Sequence, residues 1–312
     1  MSKKDKGYIP VMLTPFTESG AVDFSGLTKL TELYLGAGAA GLFANCQSSE
    51  MFNLSEEEQL AVTKQVLQVA DGAVPVVATG TFGGPVEKQA DFVKRMYETG
   101  VDAVIVITNM LAGESESADV FDERFGQLLD ATPGIPLGFY ECPEPFKRVL
   151  TAEQLKRFVS TGRVIYHKDT CLDIEQIRAK LDATKAVSKF GLYDAYMVHA
   201  VESLKAGSAG LSCIQGNYYP ELVVWLCNHF DDDELADQVE RVRHFFVERM
   251  DVMHAVYPIV AKYFLQKRGL PISTFTRKNA GVFDASVRGQ IDSLYVQFQQ
   301  LMEQIELKPL LA

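Results

Sequence analysis

The sequence predicts an α/β fold, a TIM (β/α)8 barrel with a C-terminal helical extension, and three observations carry that prediction. Short β-rich runs alternate with longer amphipathic runs from Gly7 to about Gln215, and eight strand candidates can be counted among them. Eight strand–helix units in one chain fit a closed parallel barrel better than an open doubly wound sheet. No Gly-x-Gly-x-x-Gly turn follows the first strand candidate, which removes the main support for a dinucleotide-binding sheet and for an NAD-dependent dehydrogenase. From Tyr219 onward the pattern turns helical, so the expected division is a barrel over 1–218 and a helical extension over 219–312 packed on it.

The strand candidates are residues 9–13, 41–45, 74–78, 103–108, 137–140, 164–167, 186–189 and 210–214. Most are short apolar, β-branched runs of the kind that fills both faces of a parallel sheet. Between them lie amphipathic patterns at 25–37, 55–70, 85–99, 117–131, 152–160 and 172–181, several opened by a Ser, Thr or Asp able to cap the first turn. The clearest start is at Ser55, with Glu58 three residues on and Glu56, Glu57 and Glu58 at the positive end of the helix dipole. Helical runs come next at 221–229, 233–257 and 287–305, with Pro258 and Pro271 as punctuation.

A hydrophobic share of 47% against 23% charged residues describes a folded chain, and a net charge of −11 argues against a nucleic-acid partner. No apolar stretch reaches the roughly twenty residues needed to span a bilayer, so no membrane partner is expected. The opening Met1-Ser2-Lys3-Lys4-Asp5-Lys6 does not resemble a signal peptide, so the expected location is cytoplasmic. Five cysteines without a Cys-x-x-Cys spacing suggest neither a disulfide framework nor a zinc site, and read as apolar filler.

Parallel barrels place active sites at the C-terminal ends of their strands, so the residues ending each strand candidate are where a site is to be sought. The first offers Thr14-Pro15-Phe16, the second Cys46-Gln47-Ser48-Ser49-Glu50, the third Gly80-Thr81 and the fourth Asn109-Met110. The fifth offers Tyr140-Glu141-Cys142-Pro143, the sixth Lys168-Asp169-Thr170-Cys171, the seventh Gly191 and the eighth Cys213 to Asn217. Hydroxyls, one phenol and one amine converge without a mixed His and carboxylate set, so no metal is expected. An amine in a low-dielectric cavity loses its proton more readily and can form a Schiff base with a ketone, which makes Lys168 a candidate nucleophile and Tyr140 its proton carrier. His167 is expected to point away from Lys168 and to pack behind the barrel. Glu50, at a helix start, reads as a cap or an interface contact.

Leu13-Thr14-Pro15-Phe16, Glu50-x-x-x-Leu54-Ser55, Tyr140-x-x-Pro143, Lys168-Asp169 and Gly210 through Asn217-x-x-Pro220 stand in order at these strand ends. With them the chain from Gly7 to about Pro220 resembles the dihydrodipicolinate synthase and N-acetylneuraminate lyase family of class I lyases and aldolases. The resemblance implies a Schiff base between Lys168 and the ketone of pyruvate or a 2-oxo acid, with Tyr140 relaying protons and Ser48 keeping a hydroxyl at the relay position. It implies no cofactor beyond that covalent imine, small-molecule partners (a 2-oxo acid and an aldehyde), and a homodimer or homotetramer. Gln47, Ser49, Cys213, Gly191, Asp194 and Lys147 become candidate substrate-binding residues, with Tyr193 beside Asp194 toward the distal half.

The departures from the family are specific. Its carboxylate-gripping Gly-Thr-Thr-Gly-Glu or Gly-Ser-Thr-Gly-Glu is replaced by Cys46-Gln47-Ser48-Ser49-Glu50, without either glycine. The arginine that holds the aldehyde substrate's carboxylate in dihydrodipicolinate synthase is replaced by Pro145, leaving Lys147 or Arg148 to bind an acidic group. A Pro-Tyr-Tyr segment that lends a tyrosine to a neighbouring subunit becomes Thr108-Asn109-Met110. The expected activity is therefore a lyase, aldolase or dehydratase, other than dihydrodipicolinate synthesis. The rival reading is a catalytically silent 2-oxo-acid sensor or regulator on the same fold.

Overall fold

The computed structural model describes residues 6–311. Its strands are β1 (Gly7–Tyr8), β2 (Leu42–Phe43), β3 (Val76–Thr79), β4 (Ala103–Ile107), β5 (Leu137–Tyr140), β6 (Val164–Asp169), β7 (Gly191–Asp194) and β8 (Gly210–Leu211). They pair in the order β1-β8-β7-β6-β5-β4-β3-β2, every pair parallel. The remaining gap is closed by a parallel bridge between Val11 and Phe43, where the Phe43 N–H donates to the Pro10 carbonyl at 3.0 Å and the Met12 N–H to the Phe43 carbonyl at 3.1 Å. The predicted (β/α)8 barrel is thus the observed fold. Glycine is required at the β1–β8 seam, because a Cβ on Gly210 would lie 1.6 Å from the Gly7 carbonyl oxygen.

Strand alternation sorts side chains into two cores. Val11, Phe43, Ile105, Tyr140 and Tyr166 fill the barrel interior, with Phe43 edge-on to Tyr140 at 5.8 Å and to Tyr166 at 6.0 Å between ring centroids. Outward-facing residues pack under the helices, as where Phe139 and Phe158 meet Phe125 at 4.8 and 4.6 Å. Each such ring contributes about 1.5–3 kcal/mol by leaving water.

Helix starts obey the expected capping chemistry. Ser55 and Glu58 close a reciprocal capping box on Glu56–Ala70, and Thr151 with Gln154 does the same for Ala152–Val159. The helix Pro220–His229, which falls inside the predicted extension, packs on β1 and on the first helix, Phe24–Gly36, as the barrel's eighth outer helix.

Two expectations are corrected. The seventh strand is not 186–189: the preceding helix runs on to Thr184, 187–190 form a turn, and the strand is Gly191–Asp194. The reason is register, since Leu192 and Asp194 face the outer core while Tyr193 turns inward to stack on Tyr166 at 5.0 Å. The single helix expected over 233–257 is broken into Asp233–Leu235, Ala236–Glu248 and Met250–His254, succeeded by Tyr257-Pro258 and a helix, Ile259–Lys267. Among the described residues no helix is long and apolar enough to cross a membrane.

Candidate active site

A cavity of about 510 Å3 opens at the C-terminal mouth of the barrel, and Gln47, Ser48, Tyr140, Lys168, Cys213 and Tyr257 are in its wall. Register builds the centre of it. Tyr140 is the direct partner of Lys168 across β5 and β6, and the two side chains point inward, with the Lys168 Nζ 4.1 Å from the centroid of the Tyr140 ring. Lys168 is 5% exposed, and among the described residues no carboxylate reaches its amine. Asp169, the obvious partner in sequence, is turned outward to Lys180 at 2.6 Å. Burial accordingly lowers the Lys168 pKa from the ordinary lysine value, moving the amine toward its neutral, nucleophilic form.

Three thiols surround the amine without competing with it. Burial pushes Cys142 up to about 11 and Cys213 up to about 12, and raises Cys46 as well, so all three stay protonated and act as small apolar groups. Tyr140 is also raised by burial and keeps its proton, which it donates to Gln47 Oε1 at 3.1 Å.

That contact corrects one expectation: Gln47, not Ser48, holds the Tyr140 phenol. Ser48 Oγ instead accepts from the Tyr257 hydroxyl at 2.8 Å. Ser49 does not face the cavity, because its hydroxyl is within 2.7 Å of the Met12 carbonyl and 3.0 Å of the Ala44 carbonyl and accepts the Cys46 N–H. The loop needs neither missing glycine. Cys46 is extended and Gln47–Ser49 form a helical turn, so the left-handed conformation falls on Glu50 alone, at φ 58°.

Glu50 stands at the N-cap position of the short turn Met51–Asn53, but its side chain makes no capping bond there and is buried. Its buried carboxylate accepts from Lys262 Nζ at 2.8 Å, Thr276 Oγ1 at 2.5 Å, and the backbone N–H groups of Arg277 and Lys278 at 2.7 and 2.9 Å. It clamps the loop of Gln47 and Ser48 onto the extension.

The remaining candidates separate cleanly. Lys147 reaches the cavity wall and donates to the Thr170 carbonyl at 2.7 Å, whereas Arg148 turns away to the carbonyls of Gly113 and Glu116. Gly191 does not reach the mouth: it begins β7 opposite Tyr166, two residues below Lys168. Asp194 faces outward, where its carboxylate meets His199 at 3.1 Å. The Gly191 misplacement results from the slip in the seventh strand, whereas the Asp194 expectation comes from the family resemblance. Missed altogether were Tyr257 and, at the rim, Lys278, which pairs with Glu144 at 2.6 Å. The only sequence signal for Tyr257 was the adjacent Pro258, which ends a helical run without revealing where the chain goes next.

Behind β5 and β6, Glu141, His167 and Asp169 bring donor atoms within 4.8 Å of one another, a geometry that suits a cation. The Lys180 ammonium fills that role, 2.8 Å from Glu141 and 2.6 Å from Asp169, with His167 at 3.3 and 3.4 Å from the same carboxylates. His167 therefore packs behind the barrel as expected. Glu141 also accepts the N–H groups of Leu150 and Thr170, both at 3.0 Å, tying the ends of the two strands together.

Fold and site together define a parallel barrel with a buried lysine amine, without a carboxylate partner among the described residues, beside a phenol at the ends of its central strands. The Dihydrodipicolinate synthetase family model matches residues 4–296, and the chain belongs to that family. It is 27% identical over 264 residues to a 4-hydroxy-tetrahydrodipicolinate synthase of Hyphomonas neptunium, covering 85% of this chain and 88% of that one. To YagE, a putative 2-dehydro-3-deoxy-D-gluconate aldolase of Escherichia coli K12, it is 25% identical over 296 residues, covering 94% and 97%. The crystal structure of YagE in complex with pyruvate superposes with a TM-score of 0.82 at 23% identity, over 97% of this chain and 99% of the other.

Proposed function

We propose that the chain is a Schiff-base-forming lyase, an aldolase or dehydratase, acting on pyruvate or a longer 2-oxo acid. The observation that carries the reading is the Lys168 amine: buried, out of reach of any carboxylate among the described residues, and set over the Tyr140 ring in the cavity wall. In the aldol cleavage direction the neutral amine adds to the C2 ketone, and the carbinolamine loses water as Tyr140 gives a proton to the departing hydroxyl. The protonated imine then draws in the electron pair of the breaking C3–C4 bond, while the C4 hydroxyl returns its proton to Tyr140 and leaves as an aldehyde. Tyr140 then protonates the enamine at C3, and water adding at C2 gives its proton back to the phenolate, so that collapse of the carbinolamine releases pyruvate and restores the amine. Gln47 orients the phenol, yet an amide does not pass a proton onward as a hydroxyl does, which favours a shuttle between Tyr140 and substrate alone.

No cofactor enters this scheme, since the imine supplies the electron sink. Pro145 in place of the arginine that holds the aldehyde substrate's carboxylate in dihydrodipicolinate synthase favours a hydroxylated 2-oxo-3-deoxy acid, whose distal half is neutral, and the rim lysines Lys147 and Lys278 are already engaged by the Thr170 carbonyl and Glu144. The aldolase named among the relatives supports the same choice. Assembly as a homodimer or homotetramer belongs to the same proposal. Incubation with pyruvate and borohydride is expected to leave a reduced adduct on Lys168, located by peptide mass spectrometry and absent from Lys168→Ala. Absence of any adduct across a panel of 2-oxo acids would sink the reading.

A further inference from the structure

We infer that Tyr257 is a positioning residue that fixes the direction of the Ser48 hydroxyl, so that Ser48 offers its proton to the carboxylate of a 2-oxo acid in the cavity; this rests on the function proposed above. The direction is set by groups that can act in only one way. The Val11 carbonyl can only accept, so the Asn217 nitrogen must face it, at 2.8 Å. The Asn217 oxygen then faces Tyr34, whose buried hydroxyl donates to it. The second N–H of Asn217 goes to the Tyr257 oxygen at 2.6 Å. Having accepted that bond, Tyr257 sends its own proton to Ser48 Oγ at 2.8 Å.

Ser48 is 5% exposed and has no other hydrogen-bond partner among the described residues, so its proton is left to point into the cavity that it lines. A hydroxyl that accepts from a phenol is polarised and is a better donor to an anion. A hydroxyl free to rotate could equally turn its lone pairs to the ligand and repel it. The chain Tyr34, Asn217, Tyr257, Ser48 therefore converts one backbone carbonyl of the first strand segment into a donor at the mouth. Tyr257 is the link supplied by the extension.

The test uses the full chain with Tyr257→Phe, Ser48→Ala and the double variant, pyruvate affinity being read by calorimetry and folding by thermal melting. Tyr257→Phe keeps the ring and removes the hydroxyl that accepts from Asn217 and donates to Ser48, and is expected to weaken pyruvate about tenfold with the melting transition retained. Ser48→Ala is expected to lose at least as much, and the double variant no more than Ser48→Ala alone. Wild-type affinity in Tyr257→Phe, or a full further loss when it is added to Ser48→Ala, overturns the inference; the second result would mean that Tyr257 acts on the ligand directly. Should Tyr257→Phe not fold, Ser48→Ala with wild-type affinity overturns it equally. Borohydride trapping runs in parallel. Pyruvate bound without an adduct on Lys168 defeats the imine mechanism while the calorimetric result stands, and no binding of pyruvate at all defeats both.

Discussion

Lys168 is held in a setting that disfavours its charge, and that has a consequence for stability as well as reactivity. Its folded pKa lies below the unfolded value, so the folded state releases a proton that the unfolded chain retains. The penalty is complete at pH values below the folded pKa and lifts as the pH rises toward the ordinary lysine value of about 10.4. Lys168→Met, similar in volume and uncharged, is therefore expected to raise stability at neutral pH by about 1–3 kcal/mol, or ~2–4 °C in melting temperature per kcal/mol. The gain should fade as the pH approaches 10; a variant that melts below the wild type at pH 7 would contradict a buried amine without a carboxylate partner. Lys168 and Tyr140 were legible in sequence because both end strong apolar runs, where strand periodicity fixes the direction of a side chain. Ser49 was not, because a hydroxyl in a helical turn finds its partner in a neighbouring strand's carbonyl, and no local pattern records that.

At the scale of elements, the paired ends of β5 and β6 are braced from behind. Glu141 and Asp169 share the Lys180 ammonium, and all three side chains are buried. Two carboxylates left there without their cation would be strongly disfavoured. Lys180→Met is expected to cost about 3–5 kcal/mol in a denaturant titration. A loss below ~1 kcal/mol, within the range of exposed pairs, would mean that the network is dispensable. The sequence announced the strands at 137–140 and 164–167 almost to the residue, since both are apolar runs closed by polar punctuation. It misplaced the seventh because Ala186-Val187 looked apolar enough while Gly191-Leu192-Tyr193-Asp194 mixes inward and outward faces. Gly191 was carried off with it.

For the molecule as a whole, barrel and extension are joined through buried polar groups as well as apolar surface. Glu50 on the barrel side meets Lys262, Thr276 and the backbone of Arg277 and Lys278, and Arg268 forms a buried ion pair with Glu221 of the eighth outer helix. A chain ending at residue 218 would strand Glu50 without its cation and uncover β1. It is expected to show no cooperative melting transition by circular dichroism; a sharp transition would make the barrel independent of its helical extension. The expectation of a helical region packed on the barrel came from periodicity alone. Which of its residues reach the cavity depended on where the chain bends after His254, and that is decided by tertiary packing.

The Glu50 clamp also separates two kinds of change that the protein can absorb. The amine and phenol ride on central strands braced from behind, whereas Met250, His254 and Lys278 line the outer cavity from the helical extension, with Lys278 held by the Glu50 carboxylate. Substitutions in that outer segment can alter which aldehyde half is accepted while the bond-breaking pair stays where it is. For a laboratory seeking new carbon–carbon bonds, diversity belongs at 250, 251, 254 and 278, with Glu50, Tyr257 and Lys262 held constant as the hinge pin of the library.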